Sequence, residues 1–130
     1  MSMNPRLKIL AVDDDPAIRR LLSQFLGQHY EVTFAVDAIG AISAARRERP
    51  DLVLLDFSLP AGNGPVVVER LRMMPDLAAT PIVIISGWES PWSWDGLLDL
   101  DVAGFLPKPF TRDELLDELA RALGTERVTA

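Results

Sequence analysis

The sequence contains no cysteine and only one histidine among its 130 residues. Without cysteine the chain forms neither disulfides nor thiol-based catalytic centres, and His29 alone cannot supply the ligands of a zinc site. No apolar run approaches the ~20 residues that a membrane-spanning helix needs, and the first residues lack the apolar stretch of a signal peptide. We therefore expect a cytoplasmic protein that does not contact a membrane.

The sequence also lacks an excess of basic residues. Lysine and arginine number 13 against 19 acidic residues, which gives a formal net charge of −6. Nucleic-acid binding through the phosphate backbone needs a basic face, so we expect no direct nucleic-acid partner. The hydrophobic fraction of 48% and the charged fraction of 25% fit a single folded domain over residues 1–130. We expect its core at about residues 7–123, with 124–130 as a tail or linker stub.

Apolar segments of strand type alternate with segments of helical periodicity along the chain. Strands are predicted at 7–13, 31–36, 51–56, 81–85 and 103–107, with the second at an edge of the sheet. Helices are predicted at 15–27 and 38–49, from 64 onward, and between Thr111 and Gly124; a weaker and less regular helical pattern at 97–100 would make five. In the 38–49 helix we expect Ile39, Ile42 and Ala45 to share the buried stripe. Such alternation requires right-handed crossovers and a parallel sheet, that is, a three-layer α/β sandwich.

Acidic residues follow two of the predicted strands. Asp51-Leu-Val-Leu-Leu-Asp56 ends on a carboxylate, and the first strand is followed by Asp13, Asp14 and Asp15. Because ligands of open α/β sheets gather beyond the carboxyl ends of the strands, we expect Asp13, Asp14 and Asp56 to form one acidic pocket. The alternative is that an aspartate caps the first helix or is merely solvated, and for Asp15, which precedes Pro16, we favour the cap.

A cluster of carboxylates needs a cation. Two carboxylates ~4 Å apart at an effective dielectric of ~20 repel by about 4 kcal/mol. Mg²⁺ prefers oxygen ligands and keeps waters that a phosphate can replace. Lys108, at the end of the fifth strand, and Ser86, at the end of the fourth, lie at the same rim of the predicted sheet. An exposed, solvated Lys108 is the simpler interpretation by itself, but the acids, hydroxyl and cation together suit a phosphoryl group on Asp56.

The order and spacing of these motifs resemble a known family over residues 9–123. The chain is similar to the receiver domains of two-component response regulators, including the single-domain chemotaxis regulator. The resemblance implies a flavodoxin-like fold with five helices around a parallel sheet of strand order 2-1-3-4-5. It is carried by Val12-Asp-Asp-Asp-Pro16, Leu55-Asp56, Leu59-Pro60 with Gly64, Ile85-Ser-Gly87 and Phe105-Leu-Pro-Lys-Pro-Phe110.

The resemblance implies a role for each acidic residue of the pocket. Asp56 would accept a phosphoryl group from a sensor histidine kinase or a histidine phosphotransfer protein. Asp13, Asp14, Asp56 and the backbone carbonyl of Ser58 would hold Mg²⁺. Such a domain is not an enzyme toward other substrates, because it catalyses only its own phosphorylation and dephosphorylation.

The resemblance also implies a conformational switch. Lys108 would pair with the phosphoryl group, while Ser86 and Phe105 would move together and reshape the face made by the fourth helix and fifth strand. That face would contact a downstream protein or a fused output domain, and it would also suit a homodimer. Phe105 lacks the hydroxyl of the more usual tyrosine, so the coupling would run through packing.

Several positions depart from the family pattern. Trp88 falls where the family controls access of water to the acyl phosphate; it either slows hydrolysis or is an exposed loop aromatic without a kinetic role. Trp92 and Trp94 lie beside the expected signalling face, where they form either a binding hot spot or local packing. Asp101 stands where a glycine usually ends the fourth helix, so the backbone there is expected to differ.

Two other functions remain open at this point. A receiver-like module that binds a partner without phosphorylation is kept open by the unusual tryptophan segment. A metal-dependent phosphohydrolase with an aspartyl phosphate would use Asp13 and Asp15, but such enzymes typically carry threonine or valine where this chain has Ala17. His29 is expected to be a polar surface residue and not a phosphorelay histidine, because that role needs a helical bundle.

Overall fold

The protein is described by a computed structural model that covers residues 6–59, 63–87 and 101–125. Five strands form one sheet in the order β2-β1-β3-β4-β5, and every neighbouring pair is parallel. This confirms the α/β sandwich, the edge position of β2 and the strand order that the resemblance implied. The strands are β1 (Lys8–Val12), β2 (Glu31–Ala35), β3 (Leu52–Asp56), β4 (Ile82–Ser86) and β5 (Gly104–Pro107).

Four of the five expected helices lie in the described part of the chain. They are α1 (Pro16–Leu26), α2 (Ala38–Glu48), α3 (Gly64–Arg72) and the C-terminal helix (Arg112–Leu123). The helical pattern at 97–100, the three tryptophans and residues 126–130 of the tail fall outside the described residues. None of the helices in the described ranges has the length and apolar character needed to cross a bilayer.

The helix ends follow the signals in the sequence. Asp15 caps α1, because its Oδ1 accepts a hydrogen bond from the Ala17 backbone N–H at 2.9 Å. The C-terminal helix opens with a capping box, in which the Thr111 hydroxyl accepts from the Glu114 N–H and the Glu114 carboxylate accepts from the Thr111 N–H. It ends at Gly124, whose φ of 70° is the left-handed conformation that favours glycine.

The sheet is buried on both faces, as the continuous apolar runs predict. All residues of β3 and β4 are buried. On one face the core includes Val67 and Leu71 of α3 together with the alanines of α2. On the other face it includes Leu22 and Leu26 of α1 together with the leucines of the C-terminal helix. A ligand can therefore reach β3 and β4 at their ends and not across their faces.

The buried stripe of α2 differs from the prediction. Ile39 is 83% exposed, so its assignment to the core is wrong. The Asp37 side chain caps α2 by accepting from the Gly40 N–H at 2.7 Å, and the helix that starts there turns alanines toward the sheet. The buried positions are Ala38, Ala41, Ala44 and Ala45. Small side chains on this stripe let α2 approach the strands closely.

Arg72 anchors the backbone around Asp101, where the resemblance led us to expect a departure from the family pattern. Its Nε and Nη2 donate to the Asp101 carbonyl at 3.1 and 2.9 Å, and its Nε lies 3.1 Å from Asp101 Oδ2. Its Nη1 also donates to carbonyl oxygens between α3 and β4, at Leu77, Ala78 and Thr80. Arg72 thus links the loop before β4 to the loop before β5.

Candidate functional site

The carboxyl ends of β1 and β3 bring three acidic side chains together. Val12 is paired with Leu55 in the sheet register, so Asp13 and Asp56 follow on adjacent strands. Asp13 is 0% and Asp56 2% exposed, whereas Asp14 faces solvent. One carboxylate oxygen from each of Asp13, Asp14 and Asp56 lies within 4.8 Å of the others, an arrangement that could hold a metal ion.

The surrounding backbone orients the two buried carboxylates. Asp13 Oδ1 accepts a hydrogen bond from the Asp15 N–H at 2.9 Å. Asp56 Oδ1 accepts from the Ser58 N–H, also at 2.9 Å. The main chain of Asp13 is held as well, since its N–H donates to the Ala35 carbonyl at 3.0 Å. Backbone hydrogen bonds therefore fix the orientation of both carboxylates.

Lys108 lies between the buried acids rather than in solvent. Its Nζ is 3.5 Å from Asp13 Oδ2 and 3.4 Å from Asp56 Oδ2, and its side chain is 22% exposed. Its backbone N–H donates to the Ser86 carbonyl at 2.8 Å, which fastens the end of β5 to the end of β4. One ammonium thus offsets two carboxylates.

Burial raises the pKa of Asp13 to about 6, because the ionised carboxylate is poorly solvated in the pocket. The Asp15 N–H opposes this shift, the charge of Asp56 adds to it, and Lys108 again opposes it. The balance leaves Asp13 ionised at neutral pH only at a cost in free energy. A bound cation would remove that cost, so the donor set fits a small, hard cation with a preference for oxygen ligands, such as Mg²⁺.

Ser86 and Phe105 lie on neighbouring strands at the same end of the sheet. Ser86 is 2% exposed and ends β4. Its hydroxyl lies 3.5 Å from the Gly87 carbonyl oxygen, which is long for a hydrogen bond between two oxygens. A closer acceptor would therefore compete well for this hydroxyl. Phe105, opposite Ile84 in the register, is half-buried and packs against the core under α2 and α3.

The turn after Asp56 contains a buried aromatic ring, which packs against the start of α3. Phe57 is fully buried, and its N–H donates to the Ile85 carbonyl at 2.9 Å. A Cβ at Gly64 would come within 2.7 Å of the Phe57 ring. Glycine at the start of α3 thus permits the ring to occupy this position. Ser58 is exposed, and a metal-ligand role for its carbonyl stays a prediction.

One contact of the pocket was not anticipated from the sequence. Arg19 Nη1 donates to the main-chain carbonyl oxygen of Asp13 at 2.9 Å. The only available signal is that a helix starting at Pro16 puts Arg19 in its first turn, next to the acidic loop. Asp15, in contrast, caps α1 and faces solvent, which argues against the acid/base role that the phosphohydrolase alternative would give it.

The chain matches known proteins over most of its length. The family model of the response regulator receiver domain matches residues 9–120. The response regulator MprA of Mycobacterium leprae (strain TN) is 37% identical over 118 residues, which cover 90% of this chain and 50% of that protein. The chain thus spans about half the length of the curated relatives it matches.

Solved structures give the same result. A chemotaxis protein of Vibrio cholerae, CheY4, superposes with a TM-score of 0.82 at 33% identity and covers 90% of this chain and 98% of that one. The receiver domain of the Pseudomonas aeruginosa PAO1 sensor histidine kinase PA1611, solved with a magnesium ion coordinated in its active site cleft, superposes with a TM-score of 0.83 at 29% identity. It covers 92% of this chain and 99% of that one. The chain belongs to the response regulator receiver domains, the phosphoacceptor modules of two-component systems.

Proposed function

We propose that Asp56 is the residue of this chain that accepts the phosphoryl group. The observation that carries the proposal is the position of its carboxylate. Asp56 is buried at the end of β3, its Oδ2 lies 3.4 Å from Lys108 Nζ, and Asp13 and Asp14 lie beside it. A nucleophilic carboxylate next to a fixed cation and further oxygen ligands is suited to phosphoryl transfer.

The metal proposed for this pocket is Mg²⁺, held by Asp13, Asp14, Asp56 and the Ser58 carbonyl. When bound, it supplies positive charge for the phosphoryl oxygens and offsets the repulsion among the acids. The Ser58 N–H holds Oδ1 of Asp56, which leaves Oδ2 directed toward Lys108. In the reaction, Asp56 Oδ2 forms a bond to phosphorus, while the bond from phosphorus to the donor breaks and its electron pair leaves with the donor.

Lys108 and Ser86 are proposed to bind the product. The Lys108 ammonium, which contacts both buried carboxylates before the reaction, pairs with a phosphoryl oxygen afterwards. The Ser86 hydroxyl exchanges its long contact with the Gly87 carbonyl for a charged acceptor, and such bonds are roughly twice as strong as neutral ones. Phe105 then repacks as β4 and its neighbour β5 adjust, which changes the surface around β5.

We propose a sensor histidine kinase or a histidine phosphotransfer protein as the donor, and the cytoplasm as the compartment of the reaction. We propose that the signal passes to a downstream protein or to an output domain. The curated relatives are about twice as long as this chain, which leaves room in them for such a domain. A homodimer through the β5 side of the domain remains part of the proposal. The chain is not expected to turn over any substrate other than its own phosphoryl group.

The test is the intact mass of the protein after incubation with acetyl phosphate and Mg²⁺. We expect one phosphoryl adduct on the unmutated chain and none on Asp56→Asn or in the presence of a chelator. Asp76→Asn is the matched control, since its side chain is 70% exposed and pairs with Arg49 away from the pocket. An unmutated chain that stays unmodified would contradict the proposal and favour a module that binds without phosphorylation. An equal adduct on Asp56→Asn would also contradict it, because the phosphoryl group would then be on another residue.

A further inference from the structure

We propose that Arg19 is a positioning residue of the acidic pocket. Its guanidinium fixes the main chain of Asp13, and through that loop it orients Asp13 and Asp14 toward a divalent cation. The inference rests on the proposed function, because it concerns the same metal. The observation that carries it is the 2.9 Å hydrogen bond from Arg19 Nη1 to the Asp13 carbonyl oxygen.

Arg19 is itself held in place. It is half-buried in the first turn of α1, and its backbone N–H donates to the Asp15 carbonyl at 3.0 Å. Arg19 therefore contacts both ends of the loop from Asp13 to Asp15. Its side chain binds the Asp13 carbonyl, and its backbone N–H binds the Asp15 carbonyl. The two bonds together hold the loop at both of its ends.

With the Arg19 bond, Asp13 is engaged at all four of its polar positions. Its N–H donates to the Ala35 carbonyl, and its carboxylate oxygens accept from the Asp15 N–H and contact Lys108 Nζ. The carbonyl oxygen has Arg19 as its partner. Two of the other three contacts come from backbone groups and one comes from the proposed phosphoryl-binding lysine, so Arg19 supplies the side-chain contact to the main chain of Asp13.

The same bond holds the carbonyl group that immediately precedes Asp14. Asp14 is exposed, and among the described residues its carboxylate has no hydrogen-bond partner. Its position therefore depends on the backbone on either side of it. Partners that orient metal ligands in this way typically change metal affinity by 10–100-fold when they are removed.

Electrostatic repulsion alone predicts the opposite change in Mg²⁺ affinity when Arg19 is removed. A guanidinium beside a metal site repels the metal, so its removal by electrostatics alone would strengthen Mg²⁺ binding. A positioning role predicts weaker binding in the same variant. Arg20 offers a matched control, because it has the same charge, is the next residue of α1 and is exposed.

The experiment is calorimetric titration of the full chain with Mg²⁺ in the absence of any phosphoryl donor. We expect Arg19→Gln to weaken Mg²⁺ binding by ~10-fold. Arg20→Gln should bind as the unmutated chain does, or slightly more tightly. Arg19→Lys keeps the charge but loses the planar guanidinium with its several N–H donors. Its Mg²⁺ affinity should lie between those of Arg19→Gln and Arg20→Gln. Urea unfolding in chelator checks that each variant is folded; if Arg19→Gln is not, Arg19→Lys must show the weakening.

Unchanged or tighter binding in Arg19→Gln would overturn the inference, as would an equal loss in Arg20→Gln. The acetyl phosphate reaction separates this inference from the proposed function. If Arg19→Gln binds Mg²⁺ normally while the unmutated chain is phosphorylated on Asp56, only the inference fails. If the unmutated chain binds Mg²⁺ but takes no phosphoryl group, the proposed function fails and Arg19 keeps its role. An unmutated chain that binds no Mg²⁺ overturns both.

Discussion

The ammonium of Lys108 lies 3.4 Å from Oδ2 of Asp56, although 52 residues separate the two in the chain. The same ammonium is 3.5 Å from Asp13 Oδ2. Both carboxylates are buried, so their charges are poorly screened by water, and Lys108 is their common cation. The pocket without metal is thus an ion triad whose lysine lies where a phosphoryl group would need a positive charge.

Lys108→Met should destabilise the metal-free protein, because it leaves two buried carboxylates without a cation. Loss of one partner of a buried ion pair can cost 3–5 kcal/mol, and the long contacts and partial exposure of Lys108 place the expected loss nearer ~2 kcal/mol. Urea unfolding in chelator measures it. Lys8→Met is the control, since Lys8 is the other lysine of the chain and begins β1 at the opposite end of the strand. Equal losses in the two variants would contradict the triad.

The buried Asp13 should make stability fall as the pH rises. Its pKa is about 6 in the folded protein and 3.8 as the ordinary value, so the folded state holds the proton more tightly. Protonated Asp13 therefore adds to the free energy of unfolding at low pH. This contribution is lost as the pH rises from about 4 to about 6, and the total loss is about 3 kcal/mol. Asp13→Asn should remove this component and make the metal-free protein more stable at neutral pH.

The measurement is the free energy of unfolding of Asp13→Asn minus that of the unmutated chain, as a function of pH in chelator. This difference should grow between about pH 4 and pH 6 and then level off. Saturating Mg²⁺ should shrink it, because the metal stabilises the ionised carboxylate of the unmutated chain. Asp76→Asn should show no such growth. A difference that is flat or that falls with pH would refute the pKa assigned to Asp13.

Gly64→Ala should disturb the turn that carries Asp56. The new Cβ would lie 2.7 Å from the fully buried Phe57 ring, which has to move together with the Asp56 to Ser58 backbone. Overpacking of this kind costs about 1–3 kcal/mol, and we expect slower phosphorylation by acetyl phosphate as well. Gly87→Ala is a matched control near the same site, because no described atom lies within 4 Å of a Cβ there. Similar effects of the two substitutions would contradict this role of Phe57.

The sequence predicted strand ends and helix caps most reliably, because these features depend on a few neighbouring residues. The run into Asp56, the Asp15-Pro16 cap and the Thr111 capping box all depend on local chemistry, and all three are present in the structure. Ile39 was wrongly assigned to the core because α2 has two apolar faces, one with Ile39 and one with alanines. The helix that starts at the Asp37 cap turns the alanine face toward the sheet.

Other features depend on contacts that periodicity does not show. The strand order came from the family resemblance, since buried parallel strands have nearly identical apolar patterns. Arg19 was missed because its contact joins a side chain to a backbone carbonyl. His29 is half-buried, with Nε2 3.3 Å from Arg112 Nη2. The fourth predicted helix, the roles of Trp88, Trp92 and Trp94, and the single-domain boundary with its tail all stay predictions.

The central claim is that Asp56 carries the phosphoryl group, and trapping the acyl phosphate tests it most directly. Borohydride reduces an aspartyl phosphate to homoserine, so the protein is treated with acetyl phosphate and Mg²⁺, reduced, digested and sequenced by mass spectrometry. We expect homoserine at residue 56, and at no other aspartate, with none formed when the metal is chelated. Homoserine at Asp13 or Asp14, or at no position while Mg²⁺ is bound, would contradict the account.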